Sequence, residues 1–277
     1  MTVVKTLLYV PADRPDRVRK ALASGSDGVI VDLEDAVAPS HKDVARAGLA
    51  EVLSNAFREV MLQVRVNAAG TTWHDADLDA VAALPGHIGI RLPKCESPQV
   101  VAAIHERMPG RDLHLIVESA LGVERAFGLA TAPGVCTLGL GEADLRADLG
   151  VQDDDELLWA RARVVNAAAA AGLPAPMLSV FTNVHDLAGL RESCLTGRRL
   201  GFVGRTAIHP RQLSVITEAF TPTSAEVAAA REVLAAAEAG QQAGTGAIAL
   251  PDGRFVDEAV VRQAHRTLAL IPSEWST

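Results

Sequence analysis

The stretch GVIVDLEDAV, residues 28–37, decides how the rest of the chain is interpreted. Its first half is a run of apolar, mostly β-branched residues, which is typical of a strand buried on both faces of a parallel sheet. Its second half carries three carboxylates within four residues, at Asp32, Glu34 and Asp35. Charged groups at the end of a buried strand are costly unless other charges neutralise them. The stretch therefore predicts a parallel-sheet strand whose carboxyl end has positively charged partners elsewhere in the chain.

Seven further segments of the same apolar kind flank this strand, and amphipathic segments separate them. Residues 14–24, 41–56 and 97–108 are examples of amphipathic segments long enough to be crossover helices. Eight strand–helix units in about 200 residues predict an α/β fold, the (β/α)8 TIM barrel. The predicted strands are residues 6–12, 28–35, 59–68, 87–94, 112–120, 134–141, 176–182 and 201–208.

An open, doubly wound sheet is the alternative architecture. A dinucleotide-binding sheet of that kind carries a Gly-x-Gly-x-x-Gly sequence after its first strand. No such sequence follows residues 6–12, and GLGEADL, residues 139–145, lacks the third glycine. The barrel is therefore favoured.

The composition is that of a globular protein with a large core. The chain has 277 residues, of which 49% are hydrophobic, and its mean hydropathy is +0.18. A formal charge of -8 would repel a phosphate backbone, so we expect no nucleic-acid partner. The apolar stretch at the N-terminus is too short to span a bilayer, so we expect a cytoplasmic protein without a membrane partner. Cys95, Cys136 and Cys194 are widely spaced among apolar residues, which indicates small hydrophobic side chains rather than disulfides or a zinc site.

The chain is longer than a barrel requires. We expect the barrel to occupy residues 1–220 and to carry the active site, with residues 221–277 forming a C-terminal extension. The extension has the pattern of a long alanine-rich helix, a hairpin that turns at Asp252 and Gly253, and a final helix at residues 257–270. Such an extension either packs on its own barrel or reaches over the mouth of a neighbouring subunit.

Charged residues follow the ends of six consecutive predicted strands. Barrel enzymes carry their catalytic groups at the carboxyl ends of the strands, because packed side chains fill the interior. The six ends therefore predict a heavily charged mouth. The residues concerned are Asp13 and Arg14, Glu34 and Asp35, Arg65 and Asn67, Lys94, Glu118, and Glu142 and Asp144.

Two of these acids have the character of metal ligands. Glu118 lies in LIVES and Asp144 in LGLGEAD, so we expect the two carboxylates to face each other across adjacent strands. Oxygen ligands without nearby Cys or clustered His suit a hard cation, which makes Mg2+ the first choice and leaves Mn2+ open. Glu142 is left open as a third ligand, because it can also point toward a helix.

Two basic residues can neutralise the acids of the second strand. The guanidinium of Arg65 can grip a substrate carboxylate or carbonyl with two hydrogen bonds, or it can pair with Glu34 or Asp35. Lys94 could form a Schiff base only if it were deprotonated. The acids around it favour the charged form, so we expect an ion pair with Asp35 or Glu34.

Blocks of sequence spread over nearly the whole chain resemble the HpcH/HpaI aldolase and citrate lyase superfamily. The resemblance is greatest to its citrate lyase β-subunit-like branch, which includes malyl-CoA and citramalyl-CoA lyases. The blocks stand in the family's order. They are LLYVPADRPDRVRKAL (7–22), DGVIVDLEDAVAPSHKDVAR (27–46), VRVN (64–67), LPKCES (92–97), IVESALGVERA (116–126), GLGEADLRADLG (139–150), LGFVGRTAIHPRQL (200–213) and GRFVDEAVVRQA (253–264).

The resemblance implies roles for individual residues. Arg65 matches the arginine that contacts the oxo-acid part of the substrate, and Glu118 and Asp144 match the two magnesium-binding acids. Asp257 looks like the tail aspartate that, in the acyl-CoA lyase branch, completes the active site of a neighbouring subunit. The family pattern thus implies a homo-oligomer, a trimer or a hexamer.

Other positions bear on the substrate. The resemblance implies that Arg14 and Lys20 hold the phosphates of CoA. Ala12 stands where the family usually has Gly, and Leu178 and Asn183 stand where relatives often carry Asp. These departures concern the identity of the substrate rather than the metal site.

The reaction that the resemblance implies is a reversible Claisen-type cleavage of a 3-hydroxy acyl thioester. Citryl-CoA, citramalyl-CoA or malyl-CoA would give acetyl-CoA and oxaloacetate, pyruvate or glyoxylate. Arg65 and Mg2+ would stabilise the negative charge that develops on oxygen, and Asp257 would move a proton at the acetyl carbon. Three alternatives stay open: a class II pyruvate-type aldolase, an acyl-CoA thioesterase, and a non-catalytic subunit that binds 2-oxo acids with a metal.

Overall fold

The computed structural model of the chain describes residues 3–53, 60–153, 155–242, 248–250 and 253–271. These residues form two compact units. The larger unit runs from Val4 to Thr217, and the smaller one contains Val3 and the described residues from Glu218 onward.

Eight strands of the larger unit form one parallel sheet. They are β1 (Thr6–Pro11), β2 (Gly28–Asp32), β3 (Met61–Arg65), β4 (Gly89–Leu92), β5 (Leu113–Val117), β6 (Val135–Leu140), β7 (Met177–Leu178) and β8 (Gly204–Ala207). Their order in the sheet is β6-β5-β4-β3-β2-β1-β8-β7, so consecutive strands are neighbours and β8 pairs with β1. The predicted barrel is confirmed, with one open seam: β6 and β7 lie together, but no ladder joins them in the described ranges.

Helices connect the strands on the outside of the sheet. Proline begins α1 and α4, where its missing N–H is not needed, and the Ser97 hydroxyl caps α4 by accepting from the Val100 N–H. Residues 120–130 form two short helices rather than one, because the backbone at Arg125 leaves the helical region between them. The helices are α1 (Pro15–Leu22), α2 (Lys42–Leu53), α3 (His74–Ala82), α4 (Pro98–Arg107), α5 (Ala120–Glu124), α6 (Ala126–Ala130), α7 (Glu142–Leu149), α8 (Leu158–Ala170), α9 (Leu187–Arg199) and α10 (Leu213–Phe220).

The barrel core forms where both faces of the strands are covered. All five residues of β2 are buried, and Val29 and Ile30 have no exposed surface. Burying an aliphatic side chain of this size contributes about 1.5–3 kcal/mol, which explains why a continuous apolar run is needed here. Cys95 and Cys194 are buried as predicted, whereas Cys136 is only half-buried. No helix in the described part of the chain is long and apolar enough to cross a membrane.

The smaller unit has its own apolar core. It contains α11 (Ser224–Gln242), a two-stranded antiparallel hairpin of β9 (Ile248–Ala249) and β10 (Phe255–Val256), and α12 (Glu258–Ala269). Gly253 has a φ of 86°, which suits a tight turn and favours glycine. The other predicted turn residue, Asp252, lies outside the described residues. Contact between this unit and a neighbouring subunit stays a prediction. Its core consists of Ala230, Val233, Leu250, Val256 and Ala264.

Candidate active site

A cavity of about 360 Å³ opens at the carboxyl ends of the barrel strands. This is the end of the barrel at which enzymes of this fold carry their catalytic groups. All of its lining residues belong to the larger unit. Those that matter for the chemistry include Tyr9, Asp32, Arg65, Arg91, Glu118 and Asp144.

Arg65 is the centre of an ion-pair network on one wall of the cavity. Its Nε and Nη2 donate to the two carboxylate oxygens of Asp32 at 2.7 and 2.6 Å. Its Nη1 lies 2.8 Å from Glu34 Oε2 and 3.2 Å from Asp35 Oδ2, so both predicted partners are present and Asp32 is a third that sequence reasoning missed. The Tyr9 ring lies beside the guanidinium, with its centroid 5.0 Å away. Burial opposes the charge, but the bonds to Asp32 outweigh it and raise the pKa of Arg65.

Lys94 connects the acids of three loops. Its backbone N–H donates to Glu118 Oε1 at 2.5 Å, and its Nζ donates to Glu34 Oε1 at 2.7 Å. The same Nζ lies 4.0 Å from Asp144 Oδ1. Burial opposes the ammonium charge, but the hydrogen bond and charge of Glu34 raise the pKa of Lys94. The ion pair with Glu34 was predicted, and it keeps the amine protonated.

The backbone of Lys94 is in an unusual conformation. Its φ is 52°, and in the described chain no other residue except glycine has a positive φ. A non-glycine residue in the left-handed region costs free energy and is held there by its surroundings. Here the conformation directs the Lys94 N–H at Glu118, which links the end of β4 to the end of β5.

Glu118 and Asp144 line the same cavity. Glu118 is 5% exposed, and burial raises the pKa of its carboxyl to about 7 despite the opposing effect of the Lys94 N–H. Asp144 lies in the first turn of α7, and 47% of its side chain is exposed. Gly141 leaves room for the carboxylate, because a Cβ at that position would lie 2.5 Å from Glu118 Oε2. In the ranges that the structure describes, no group of three or more His, Cys, Asp or Glu side chains is arranged to hold a metal ion.

Glu142 has a different environment. Both of its oxygens accept hydrogen bonds from Arg161, at 2.7 Å from Nε and 3.0 Å from Nη2. The pair is buried on both sides. Glu142, left open as a ligand from the sequence, is therefore already neutralised by an arginine.

The residues predicted to contact CoA lie apart from the cavity lining. Arg14 binds Asp16 through two hydrogen bonds of 3.1 Å, and Lys20 is exposed in the last turn of α1. Neither is among the residues that line the cavity. Asp257 belongs to the smaller unit, where its Oδ1 accepts from the Val260 N–H at 3.0 Å and caps α12. The roles of these three residues stay predictions.

Three cavity residues were missed by the sequence reasoning. Asp32 was treated as one of three crowded acids, although the ladder pairs it directly with Arg65. The local sequence around Arg91 and Gly141 does not indicate a functional role. Their importance depends on the side chains that nearby strands bring to them. Of the three, only Arg91 would have been found by a search for charged residues inside the strands, and that search also finds Arg205 of β8.

The chain is thus a (β/α)8-barrel protein whose candidate active site, a cavity at the carboxyl ends of the strands, is lined by acidic residues and arginines. A profile of the family described as HpcH/HpaI aldolase/citrate lyase matches residues 5–210. The chain belongs to this family, as its resemblance predicted, and it is a lyase.

Relatives of known activity cover almost the whole chain. The citrate lyase subunit beta of Leuconostoc mesenteroides subsp. cremoris is 34% identical over an alignment of 282 positions, which covers 96% of this chain and 92% of the relative. A (3S)-malyl-CoA thioesterase of Cereibacter sphaeroides is 34% identical over 269 residues, with 96% and 93% covered. Among solved structures, Mycobacterium tuberculosis CitE in complex with magnesium, acetoacetate and coenzyme A has a TM-score of 0.82 at 32% identity, covering 96% of this chain and 97% of that one.

Proposed function

We propose that the chain is a Mg2+-dependent carbon–carbon lyase that cleaves a 3-hydroxy acyl-CoA to acetyl-CoA and a 2-oxo acid. Substrates of the citryl-CoA, citramalyl-CoA or malyl-CoA type fit this reaction. The solved relative with magnesium, acetoacetate and coenzyme A supports it, since those ligands combine the metal, an oxo acid and the thiol carrier. The observation that carries the proposal is that Glu118, Asp144 and Arg65 line one cavity.

Glu118 and Asp144 fit a magnesium ion. Both are hard oxygen donors, and Mg2+ prefers one or two protein carboxylates, with waters or substrate oxygens completing its coordination. Glu118 Oε1 is held by the Lys94 N–H, while Oε2 lies beside Gly141, where no side chain competes for it. Mn2+ has the same ligand preference and is the expected substitute.

The chain's own residues would supply charge stabilisation and orientation. When bound, Mg2+ supplies a Lewis acid that lowers the pKa of the substrate hydroxyl and stabilises negative charge on oxygen. Arg65 would hold the oxo-acid part and share that charge, because Asp32 fixes its guanidinium in one orientation. The hydroxyl proton would pass to solvent water. As the carbon–carbon bond breaks, its electron pair would pass to the acetyl carbon, and the hydroxyl carbon would become the carbonyl carbon of the 2-oxo acid.

The enolate of acetyl-CoA then needs a proton at carbon. Asp257 of a neighbouring subunit is our candidate for the group that delivers it. One of its oxygens caps α12, which would fix the carboxylate in place. This role requires a homo-oligomer, and the trimer or hexamer expected from the family pattern would provide one. Arg14 and Lys20 remain candidates for binding the phosphates of CoA.

A cleavage assay tests the proposal. Purified protein is incubated with citryl-CoA, citramalyl-CoA and malyl-CoA, and the released 2-oxo acid is measured with and without Mg2+. We expect one substrate to be cleaved, the activity to disappear with EDTA, and Asp144→Ala to abolish it. Asp153→Ala is the matched control, since Asp153 is an exposed acid shortly after α7 and outside the cavity lining. Equal activity of the two variants would contradict the assignment of Asp144.

Thioester hydrolysis is the second candidate, favoured by the similarity to the (3S)-malyl-CoA thioesterase. In that reaction water attacks the thioester, and free CoA and a hydroxy acid are released without a 2-oxo acid. Measuring free thiol and 2-oxo acid in the same samples distinguishes the two reactions. A lyase releases the 2-oxo acid with no free thiol, whereas a thioesterase releases thiol alone. The class II aldolase is tested in parallel with a 4-hydroxy-2-oxo acid.

A further inference from the structure

Arg91 is a buried cation without an anionic partner. Its side chain lies in β4 and is 5% exposed. Its Nη1 donates to Gln63 Oε1 over a long 3.4 Å, and its buried Nε has no hydrogen-bond partner in the described residues. No carboxylate oxygen of the described chain lies within 4.0 Å of the guanidinium, although Arg65, its ladder neighbour on β3, has three acidic partners.

An arrangement of this kind is costly in the free protein. Burial lowers the pKa of Arg91 through loss of solvation. Arginine nevertheless remains charged in proteins, so the desolvated charge persists. The cost of such a charge is offset only when an anion comes to it. The proposed reaction does not otherwise use this residue.

Arg91 also faces the space that the substrate would fill. It lines the same cavity as Glu118 and Asp144. Two strands away, beyond β5, lies Gly139 of β6, where a Cβ would come 3.9 Å from Arg91 Nη2. Because this residue has no side chain, the guanidinium is open on the side that faces the cavity.

Gly139 of β6 and Gly141, the first residue after β6, locate Arg91 relative to Glu118. Glu118 Oε2 lies against Gly141, and Arg91 Nη2 lies against Gly139, two residues earlier on the same strand face. Two residues of a parallel strand span about 7 Å. The Arg91 guanidinium therefore lies roughly 7 Å from the Glu118 carboxylate, measured along β6 toward its amino end. A dicarboxylic 2-oxo acid of four carbons can extend from one level to the other. Pyruvate and glyoxylate lack a second carboxylate to reach Arg91.

We propose that Arg91 binds the second carboxylate of a dicarboxylic oxo acid and thereby selects oxaloacetate, and the citryl-CoA type of substrate, over pyruvate and glyoxylate. This inference rests on the proposed function, because it assumes that the oxo acid occupies the cavity. The charge-assisted hydrogen bonds of a guanidinium to a carboxylate should favour oxaloacetate over pyruvate by about tenfold or more in affinity.

Calorimetric titration in Mg2+ tests the proposal. The probes are pyruvate and freshly dissolved oxaloacetate, and the quantity of interest is the ratio of their dissociation constants. We expect the wild type to prefer oxaloacetate by about tenfold or more and Arg91→Met to bring the ratio close to one. Arg91→Lys, which keeps the charge but not the planar fork, should give an intermediate ratio.

A further variant keeps the test informative if the Arg91 variants fail to fold. Gly139→Ala keeps Arg91 and adds a methyl group at ordinary contact distance, 3.5 Å from the nearest atom, Leu115 O. The methyl group narrows the space beside the guanidinium, so the preference for oxaloacetate should fall several-fold. A wild-type ratio near one, or a ratio unchanged in both Arg91→Met and Gly139→Ala, would overturn the proposal.

The design separates this proposal from the function on which it rests. If the wild type bound neither oxo acid in Mg2+, the proposed function would fail and this inference with it. If the wild type bound pyruvate and oxaloacetate equally, and Asp144→Ala bound neither, the metal-dependent site would be supported. Only the proposed role of Arg91 would then be wrong.

Discussion

Arg65 and Asp32 are paired residues of adjacent strands whose side chains form two parallel hydrogen bonds of 2.7 and 2.6 Å at the mouth of the barrel. Asp32 also accepts from the backbone N–H groups of Glu34 and Ala36, at 2.9 and 3.1 Å. The aspartate therefore shapes the loop after β2 and orients the arginine at once. This pair explains how the crowded acids that end β2 are tolerated in a buried position.

Replacing Asp32 by Asn should destabilise the protein substantially. The change removes the charge that balances a buried guanidinium, and breaking a buried pair of this kind costs about 3–5 kcal/mol. Asp35→Asn is the control, because Asp35 is 62% exposed and its ion pair with Arg65 should contribute less than about 1 kcal/mol. Urea unfolding of both variants measures the difference. Similar losses for the two would mean that the Arg65–Asp32 pair is not the dominant contact.

Lys94 should not form a Schiff base with 2-oxo acids. Its ammonium group is held by Glu34, whose hydrogen bond and charge raise the pKa of Lys94, so the neutral amine needed for nucleophilic attack is scarce. Borohydride reduction in the presence of pyruvate, followed by mass spectrometry of the intact protein, should give no adduct. An adduct at Lys94 would contradict the metal-dependent mechanism and favour a lysine-dependent aldolase.

Gly141→Ala should weaken metal-dependent binding of every 2-oxo acid. The added methyl carbon would lie 2.5 Å from Glu118 Oε2 and 2.7 Å from its Cβ, so the carboxylate must move. We expect the affinity for oxaloacetate in Mg2+ to fall by about tenfold or more, as measured by calorimetry. Gly48→Ala, at a half-buried site in α2 with no atom within 4 Å of the new methyl carbon, should bind normally. If Gly141→Ala bound oxaloacetate normally, Glu118 would not be a ligand of the metal.

Acid should destabilise the barrel through His114. Burial lowers the pKa of this histidine to about 3, with a smaller contribution from Arg91, and its Nδ1 lies 2.9 Å from Thr137 Oγ1. Between pH 3 and the ordinary value of about 6.5 the unfolded chain binds a proton that the folded protein does not. Stability therefore falls as the pH falls through this window, by up to about 1.4 kcal/mol per pH unit.

The measurement is the free energy of unfolding in urea at several pH values below 7. His114→Gln should reduce the slope of the free energy of unfolding against pH by up to about 1.4 kcal/mol per pH unit, which corresponds to one proton. We expect this reduction even if the substitution lowers the free energy of unfolding at every pH. The same change at the exposed His87 is the control, because that ring stays in water in both states. A slope unaffected by His114→Gln would show that other groups are responsible for acid unfolding.

Mixed oligomers should reveal whether Asp257 acts in a neighbouring subunit. Asp257→Ala and Asp144→Ala are each expected to be inactive in the cleavage assay. When the two variants are mixed and reassociated, some sites would combine an intact metal site with an intact Asp257 from the other chain. Recovery of activity on mixing is the expected result, and no recovery from a confirmed mixed oligomer would mean that Asp257 does not serve a neighbour.

The fold was predictable because its signal is repeated. Eight apolar runs separated by helical segments leave few alternatives, and each predicted run contains an observed strand. The seventh run was the weakest prediction, since residues 176–182 contain only the two-residue strand β7. Beyond it, the carbonyl groups of Ser179 and Phe181 accept hydrogen bonds from the Arg205 and Gln212 side chains instead of a neighbouring strand. Side chains from distant residues thus replaced the ladder, which a local pattern cannot indicate.

The candidate site was only partly predictable. Acids and bases that end parallel strands share one edge of the sheet, so Arg65, Lys94, Glu118 and Asp144 could be grouped from their positions. The contribution of Arg91 could not be predicted in this way. Arg91 lies inside a strand. Its importance depends on the lack of an acidic partner in the described residues and on Gly139, which leaves space beside the guanidinium.

The central claim is that Glu118 and Asp144 together hold a divalent cation. Crystals soaked with Mn2+ and oxaloacetate, with data collected for anomalous differences, test it most directly. We expect one strong peak between the two carboxylates, and no peak there in Asp144→Ala crystals treated in the same way. A wild-type map without that peak, or with the metal bound elsewhere while the two carboxylates point apart, would show that Glu118 and Asp144 do not hold the cation.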